Sequence, residues 1–395
     1  MMKLNVRQAR QFLLRHHGLL GKHVYNGKDG ILSFIRHVGC IQYDPVDICG
    51  RNADIVLNSR VKSYKKEMLA ELLYKDRRLV DYFDKNLSIF PVEDLPVFLE
   101  NTTIGGYAEA YDSRGGDTVK RIEPAIRRLI EERGHISAKE VDINETIEWH
   151  WSIPTSLPRA ALESMYYRGE LIIHHKTGTN KSYALMKDSI PAEILSAALP
   201  YSYEVERLAW HLLRRIGAVG MLWNKPSDAL LGLGIKAAER AAAFAKLLAD
   251  GDIFEIAVDG LKDHLYVHEN ERAALEEVLS EKAFPHRVEF IAPLDNLIWD
   301  RKLIAALFGF DYKWEIYTPK EKRKFSAYTL PVLCGDSFIG RVEVVRKESQ
   351  LVIKNIWSEN GKPLEGKVKT AFEKCADQLA GLNECGDGTV YDPAN

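Results

Sequence analysis

The stretch CIQYDPVDICGRNADIVLNSR places Gln42 and Asp44 two residues apart, at the end of a short apolar run and directly before Pro45. In an extended strand residues i and i+2 share a side, so the amide and the carboxylate can converge on one point. A carboxylate stabilises developing cationic charge and accepts a proton from water. An amide, which both donates and accepts, can hold that water in line. The pair suits hydrolysis of a bond whose transition state is an oxocarbenium ion, such as an N- or C–O glycosidic bond. A structural role is equally compatible with the spacing: Gln42 capping backbone groups and Asp44 opening an Asp-Pro turn. Arg51 and Asn52 follow, either to anchor Asp44 or grip a phosphate, or to make hydrogen bonds within a loop.

The elements that must position these groups read as repeated units of helices and hairpins. Residues 5–17 and 29–37 carry apolar side chains at helical spacing, and KKEMLAELLYKDRRLVDYF reads as helix again. Residues 1–100 are therefore expected to form a winged-helix-like unit carrying the QYD motif, and the Gly- and Thr-rich 101–118 a linker. In 119–200, one helix closes at Gly134, a second opens at Ser137, and a third tolerates Pro158 in its first turn. A hairpin around KTGTNK follows. Helix, helix, helix, hairpin is the order of a winged helix. Residues 201–285 repeat it, with a short helix opening at Ser227 and a hairpin around Asp259-Gly260. Residues 286–395 are expected to form a C-terminal antiparallel β-rich domain, with YKWEIYTP among its strands, a helix near 364–381 and a frayed end. The fold class is α+β: tandem winged-helix units with that C-terminal domain.

Winged helices usually hold duplex nucleic acid, the third helix along a groove and the wing on the backbone or minor groove, although some serve as protein–protein modules. Arg159, near the start of the third helix, and His174, His175, Lys176 and Lys181 on the hairpin are the candidate contacts. Arg127, Arg128 and KEKRK at 320–324 are further cations, each compatible with a merely solvated face. His150 lies between two tryptophans in EWHWS, a stacking platform for a base or simply core. Asp295, Asn296, Asp300 and Arg301 beside Trp299 read as a salt-bridged helix start or as an aid to aligning nucleic acid.

The chain of 395 residues has net charge −2, so a nucleic-acid partner would have to meet local basic patches. No His/Asp/Glu grouping has metal-ligand spacing, and neither a nucleophile elbow nor a phosphate loop occurs; no metal and no cofactor are expected. The five cysteines form no CxxC pair, as expected of reduced thiols in a cytoplasm. No apolar stretch is long enough for a membrane span, and the N-terminus does not read as a signal peptide. A cytoplasmic monomer is expected.

The string CIQYDPVDICGRNADIVLNSR resembles the motif region of the winged-helix DNA glycosylases of the AlkZ/YcaQ family, in which Q-hydrophobic-Q or Q-hydrophobic-D precedes an Arg-containing segment. LPRAALESMYYRGEL and LDNLIWDRKLIAALFGFDYKWEIYTPKEKRKFSAYTLPVLCGDSFIGRVE extend the resemblance over nearly the whole chain. It implies tandem winged helices, a β-rich C-terminal domain, and metal-free hydrolysis of the N-glycosidic bond of N7-alkylated purines in double-stranded DNA. In some members interstrand crosslinks are included. It also implies Gln42 and Asp44 as catalytic residues and Tyr43 as the hydrophobic middle of the motif, with Tyr43, Arg51 and Asn52 close to substrate. The Asp-containing form belongs to the broader branch of the family rather than the antibiotic-linked branch with two glutamines. Since no lysine lies in the motif to form a Schiff base, the expected enzyme is monofunctional. The alternative from another class is a winged-helix transcription regulator without catalytic activity.

Overall fold

The structure, a computed structural model, describes residues 1–100, 115–149, 153–280 and 283–392. The chain forms two compact units, one of Met1–Leu69, Phe83–Phe90 and Pro200–Asn395, the other of Ala70–Tyr82 and Pro91–Leu199.

The first unit opens with β1 (Met2–Leu4) and α1 (Val6–His16). Asn5 caps this helix in a reciprocal pair with Gln8, 2.9 Å in each direction. Helix α2 (Gly27–Val38) ends at Gly39, whose φ of 76° needs a residue without Cβ. The turn there leads into β2 (Ile41–Gln42), followed by α3 (Asn52–Asn58). The expected long helix over KKEMLAELLYKDRRLVDYF is corrected. Helix Lys66–Ala70 passes through a wide turn over Glu71–Lys75 and stops, and Leu79–Asp84 is a strand. Arg77 takes a φ of 50°, which no right-handed helix continues through, and the Val, Tyr and Phe beyond it suit a pleated backbone. Strand β3 (Asn86–Pro91) then pairs antiparallel with β2, Ile41 opposite Ile89 and Gln42 opposite Ser88.

In the second unit α4 (Gly116–Arg133) closes at Gly134 and leads to β4 (Ile136–Ser137); the second helix expected to open at Ser137 is corrected to a single turn over Ala138–Glu140, capped by Ser137. Helix α5 (Leu157–Tyr167), with Pro158 in its first turn, precedes the hairpin of β5 (Leu171–Thr177) and β6 (Asn180–Leu185). These strands form one sheet in the order β5–β6–β4. Val119, Ile122, Ile126 and Ile130 recur at helical spacing on α4 and are all buried, as an amphipathic helix requires. Of the expected linker, 101–114 lies outside the described residues, and 116–118 belongs to α4.

The chain returns to the first unit with α6 (Glu204–Val219), β7 (Leu222–Trp223), a turn at Asp228–Leu230 capped by Ser227, and α7 (Ala237–Asp250). Strands β8 (Ile253–Val258) and β9 (Leu265–His268) complete a sheet in which β1 lies parallel to β8, in the order β1–β8–β9–β7. The C-terminal sheet runs β10 (Val288–Phe290), β11 (Leu330–Cys334), β12 (Ser337–Lys347), β13 (Gln350–Ser358) and β14 (Thr389–Tyr391) in sequence order. Helix α8 (Arg301–Phe308) precedes β11 and α9 (Gly366–Leu382) precedes β14.

The mixed α and β expectation, with a β-rich C-terminal region, holds. Two details of that region are corrected. YKWEIYTP is a loop, because the Glu315 carboxylate folds it back by accepting the N–H groups of Lys324 and Phe325 at 2.9 and 3.0 Å. The sheet is not wholly antiparallel, and Thr389–Tyr391 are not frayed, since β14 pairs in parallel with β13, Thr389 opposite Leu351. The segments 1–69, 201–285 and 286–395 share one compact unit, where β1 completes a sheet built from residues two hundred and more positions later, whereas 1–100 is divided, Ala70–Tyr82 and the residues from Pro91 belonging to the other unit.

Candidate active site

The motif strand is very short. Strand β2 covers Ile41 and Gln42, and the Tyr43 N–H, bonded to Leu87 O at 2.9 Å, extends the pairing by one residue. Asp44 lies beyond the strand, with Oδ1 accepting the Val46 N–H at 2.9 Å, so the alternation argument stops one residue short of it. The edge of the strand is held by two buried asparagines. Asn296 donates to Cys40 O and Asn52 to Gln42 O, both at 2.8 Å. Carbonyls two residues apart point the same way along a strand, so the two amides act in place of a neighbouring strand and fix the backbone of the motif.

Gln42 is buried, and its Oε1 accepts from Lys85 Nζ at 3.3 Å. Lys85 follows Asp84 in the turn before β3, and its Nζ lies 4.6 Å from the centre of the Trp299 ring. Burial, with Arg215 adding repulsion, lowers the Lys85 pKa to about 8. The Asp84 side chain is fully buried and paired with two arginines of α6, Arg214 at 2.7 Å and Arg215. Burial opposes the Asp84 charge, but the two guanidiniums outweigh it and hold the carboxyl well below its ordinary range. Arg214 also donates to Gly39 O at 2.9 Å. The cluster therefore joins the turn before the motif, the strand paired with it, and α6.

Asp44 is half-buried, and apart from Val46 no hydrogen bond or ion pair to it occurs among the described residues. Burial raises its pKa and the Val46 N–H opposes that rise. A half-buried carboxylate without a protein cation is available to a cation that arrives from outside.

The remaining expected site residues divide. Tyr43, the middle residue of the motif, is half-buried. Arg51 does not anchor Asp44: it pairs with the buried Asp54 at 2.6 Å, and Asp54 also accepts from Tyr64 at 2.6 Å. Asn52 is corrected as a substrate contact, because it is 2% exposed and its amide bridges Gln42 O and the Leu294 N–H. Lys176 is corrected as a phosphate contact, because its ammonium is buried against Asp81 in the second unit. Lys181 is half-buried and its pKa is lowered by burial. Arg159 is exposed, with Glu163 beside it at 2.9 Å. His174 and His175 lie half-buried at the hairpin, and burial, His135, His175 and Arg77 together lower the His174 pKa.

Residues 150–152 of EWHWS lie outside the described residues, and Trp149 is core. Asp295 and Asp300 cap helical turns, Asp295 while paired with the buried Arg60 at 2.7 Å, which is the helix-start reading. A groove on the C-terminal sheet, lined by Phe325, Trp357, Lys324, Lys354, Lys362 and Lys369, is a local basic patch hidden by the net charge. The sequence reading missed Asp84, Lys85, Arg214 and Arg215 as neighbours of the motif. An Asp-Lys turn and an Arg-Arg pair about 130 positions away carry no local signal of each other.

Arg159 and Lys176 give contrasting expectations. Arg159→Ala is expected to reduce DNA affinity and lower the slope of log K against log salt by about 1, as for one lost phosphate contact. Lys176→Met is expected to lower the melting temperature and leave that slope unchanged. Binding titrations at several salt concentrations check the slopes, and thermal melts check the stability.

No helix among the described residues is long and apolar enough to cross a membrane. The fold is similar to that of the Streptomyces sahachiroi DNA glycosylase AlkZ, with a TM-score of 0.62 at 15% identity over 99% of this chain and 100% of that one. The family model described as DNA glycosylase AlkZ-like matches residues 35–382, which include the motif, the turn with Lys85, and α6. This chain therefore belongs to the AlkZ-like family of DNA glycosylases, repair enzymes that break the bond between base and sugar.

Proposed function

We propose that this glycosylase removes N7-alkylated purines, bulky or cationic N7-alkylguanine adducts among them and interstrand crosslinks included, with Asp44 and Gln42 as its catalytic pair. The observation that carries this reading is Asp44 itself, a half-buried carboxylate that, among the described residues, has one main-chain hydrogen bond and no protein cation. N7-alkylation puts a formal positive charge on the base, which leaves neutral when the C1′–N9 bond breaks and takes the bonding pair. No strong general acid is needed; what needs stabilising is the cationic sugar. Asp44 provides the opposite charge, water adds to C1′, and the proton of that water passes to Asp44. Gln42 orients the water through Nε2–H and the second lone pair of Oε1, the first being taken by Lys85. The second unit, with its helices followed by a hairpin, is read as a winged helix holding the duplex, as is the α6 to β9 segment. The protein is read as a monomer acting in the cytoplasm.

No lysine lies in the motif itself, but Lys85, from the turn before β3, reaches Gln42. Monofunctionality rests on the engagement of the Lys85 ammonium with Gln42 and the Trp299 ring, which turns it toward the protein. Incubation with DNA carrying N7-methylguanine is expected to free the base and leave an abasic strand that breaks only on alkaline treatment. Borohydride is expected to trap no covalent adduct. A failure to release any cationic purine would overturn the reading, and a trapped adduct would overturn the monofunctional part.

Lys85 is a positioning residue in this scheme. Its ammonium is the charged donor below pH about 8 and is lost above it. The rate is therefore expected to fall on an alkaline limb near that value. Lys85→Met is expected to lower kcat by about 10²-fold, the scale of misplacing a reacting group, with KM little changed and the alkaline limb gone. A limb that persists in the variant would remove Lys85 from the mechanism.

A further inference from the structure

A cluster of three histidines in the second unit takes no part in breaking the bond between base and sugar, although two of them, His174 and His175, sit on the hairpin read as a DNA contact. The register of the hairpin sets Ile173 opposite Tyr183 and then His175 opposite Ser182, so His174 is an inserted residue, a β-bulge. Consecutive side chains of a regular strand point to opposite faces. The bulge cancels that alternation, and the Nδ1 atoms of His174 and His175 lie 2.8 Å apart. Two ring nitrogens at that distance cannot both carry a proton, so at least one lone pair is presented there.

The third imidazole arrives across the sheet. Ser182 pairs with Ser137 and Tyr183 with Ile136, which brings His135, the residue before β4, to the same place. Its ring centre is 4.2 Å from that of His174 and 5.2 Å from that of His175. One nitrogen from each ring lies within 4.8 Å of the other two. Because His135 is remote from the other two in sequence, no linear spacing could have revealed the group, and the expectation of no metal rested on spacing alone.

We propose that His135, His174 and His175 form a binding site for a late first-row divalent cation, zinc being the natural choice, which ties the base of the hairpin to β4. Neutral imidazole is a preferred ligand of zinc, copper and nickel, whereas magnesium and calcium prefer oxygen. Three ligands at 2.0–2.1 Å in tetrahedral geometry sit about 3.3 Å from one another, so the rings close on the ion by side-chain rotation without moving the sheet. Ser182 Oγ, 2.9 Å from His135 Nδ1, is the kind of hydrogen-bond partner that orients a metal-bound imidazole. Three protein ligands leave a fourth position for water.

A second grouping, His16, His37 and Glu271, belongs to the first unit. There His16 Nε2 is taken up by Gly217 O at 2.8 Å, and Nδ1 faces the Glu271 carboxylate at 3.2 Å as an ion-pair contact. It is an internal polar cluster and serves as the control.

The test uses the full, untagged chain, stripped with a chelator and titrated with zinc by equilibrium dialysis and with cobalt by visible absorption. The expected result is one zinc per chain, a tetrahedral cobalt spectrum, and a zinc-dependent rise in melting temperature. His135→Gln with His174→Gln is expected to weaken binding at least a hundredfold. Ser182→Ala should weaken it about tenfold, the scale of losing such an orienting partner, and His37→Gln should change nothing. The proposal is overturned if the wild type takes up no stoichiometric zinc, if the double variant binds as the wild type does, or if His37→Gln abolishes binding. Should the double variant fail to fold, His175→Gln alone decides by the same titration.

Discussion

Asp44→Asn is expected to slow release of N7-methylguanine from DNA by about 10²- to 10³-fold, the usual effect of removing one preorganised electrostatic group from a transition state. The substitution keeps the size of the side chain and an oxygen able to accept the Val46 N–H, so the turn after β2 survives. What disappears is the negative charge facing the sugar cation and the acceptor for the proton of water. Stability separates this from a structural effect. Burial raises the Asp44 pKa, so the folded protein binds this proton more tightly than the unfolded chain does. Its ionisation therefore opposes folding at neutral pH and is relieved as the pH falls toward the ordinary carboxylate value. Asp44→Asn should leave the melting temperature at pH 7 unchanged or slightly higher while activity collapses. The same shift places the acid limb of the wild-type rate above the pH of an ordinary carboxylate, and that limb should vanish from the residual activity of the variant. A variant that loses stability and keeps its rate would return Asp44 to the role of an Asp-Pro turn. Gln42→Ala should cost less, since it removes orientation and not charge.

Asp84→Asn is the largest expected loss of stability. The carboxylate is the shared partner of Arg214 and Arg215, whose side chains are 8% and 1% exposed. Removing the charge leaves two buried guanidiniums without it, and breaking a buried pair from one side costs about 3–5 kcal/mol. Against a total stability of about 5–15 kcal/mol for a typical domain, much of the margin disappears. Urea unfolding should show a lower midpoint with an unchanged slope. The pH dependence has a definite sign. Because the folded pKa of Asp84 lies below the unfolded one, its contribution is complete above the ordinary carboxylate range and is lost only as the pH falls toward the depressed value. The stability gap between wild type and Asp84→Asn should accordingly hold constant from neutral pH down to about pH 5 and narrow below it. Activity should fall too, since Lys85 leaves the same turn to reach Gln42. An Asp84→Asn protein as stable as the wild type would show that this cluster does not hold the motif.

Much of the local structure was legible because its causes are local. The reciprocal cap at Ser137 and Glu140, the Pro158 start of α5, the Ser227 cap and the end of α4 at Gly134 each depend on residues within one turn. The burial of Val119, Ile122, Ile126 and Ile130 follows from their periodicity. Failures came where distant groups outvoted local pattern. Glu315 turned an alternating segment into a loop, and a C-terminal segment rich in glycine and aspartate found a strand to pair with. Asn52 and Lys176 looked like surface polar groups, yet each had a buried partner waiting, Gln42 O for one and Asp81 for the other.

What the sequence alone determined here is the pattern of helices, caps and hairpins, together with the identity of the Gln-Tyr-Asp segment. Only the tertiary structure decided that Lys85 meets Gln42, that Asp84 meets two arginines of α6, and that His135 meets His174 and His175. The reason lies in what each depends on. Capping and periodicity are energies between residues a few positions apart, whereas a buried charge or an imidazole cluster depends on which strands and helices pack together, and in what register.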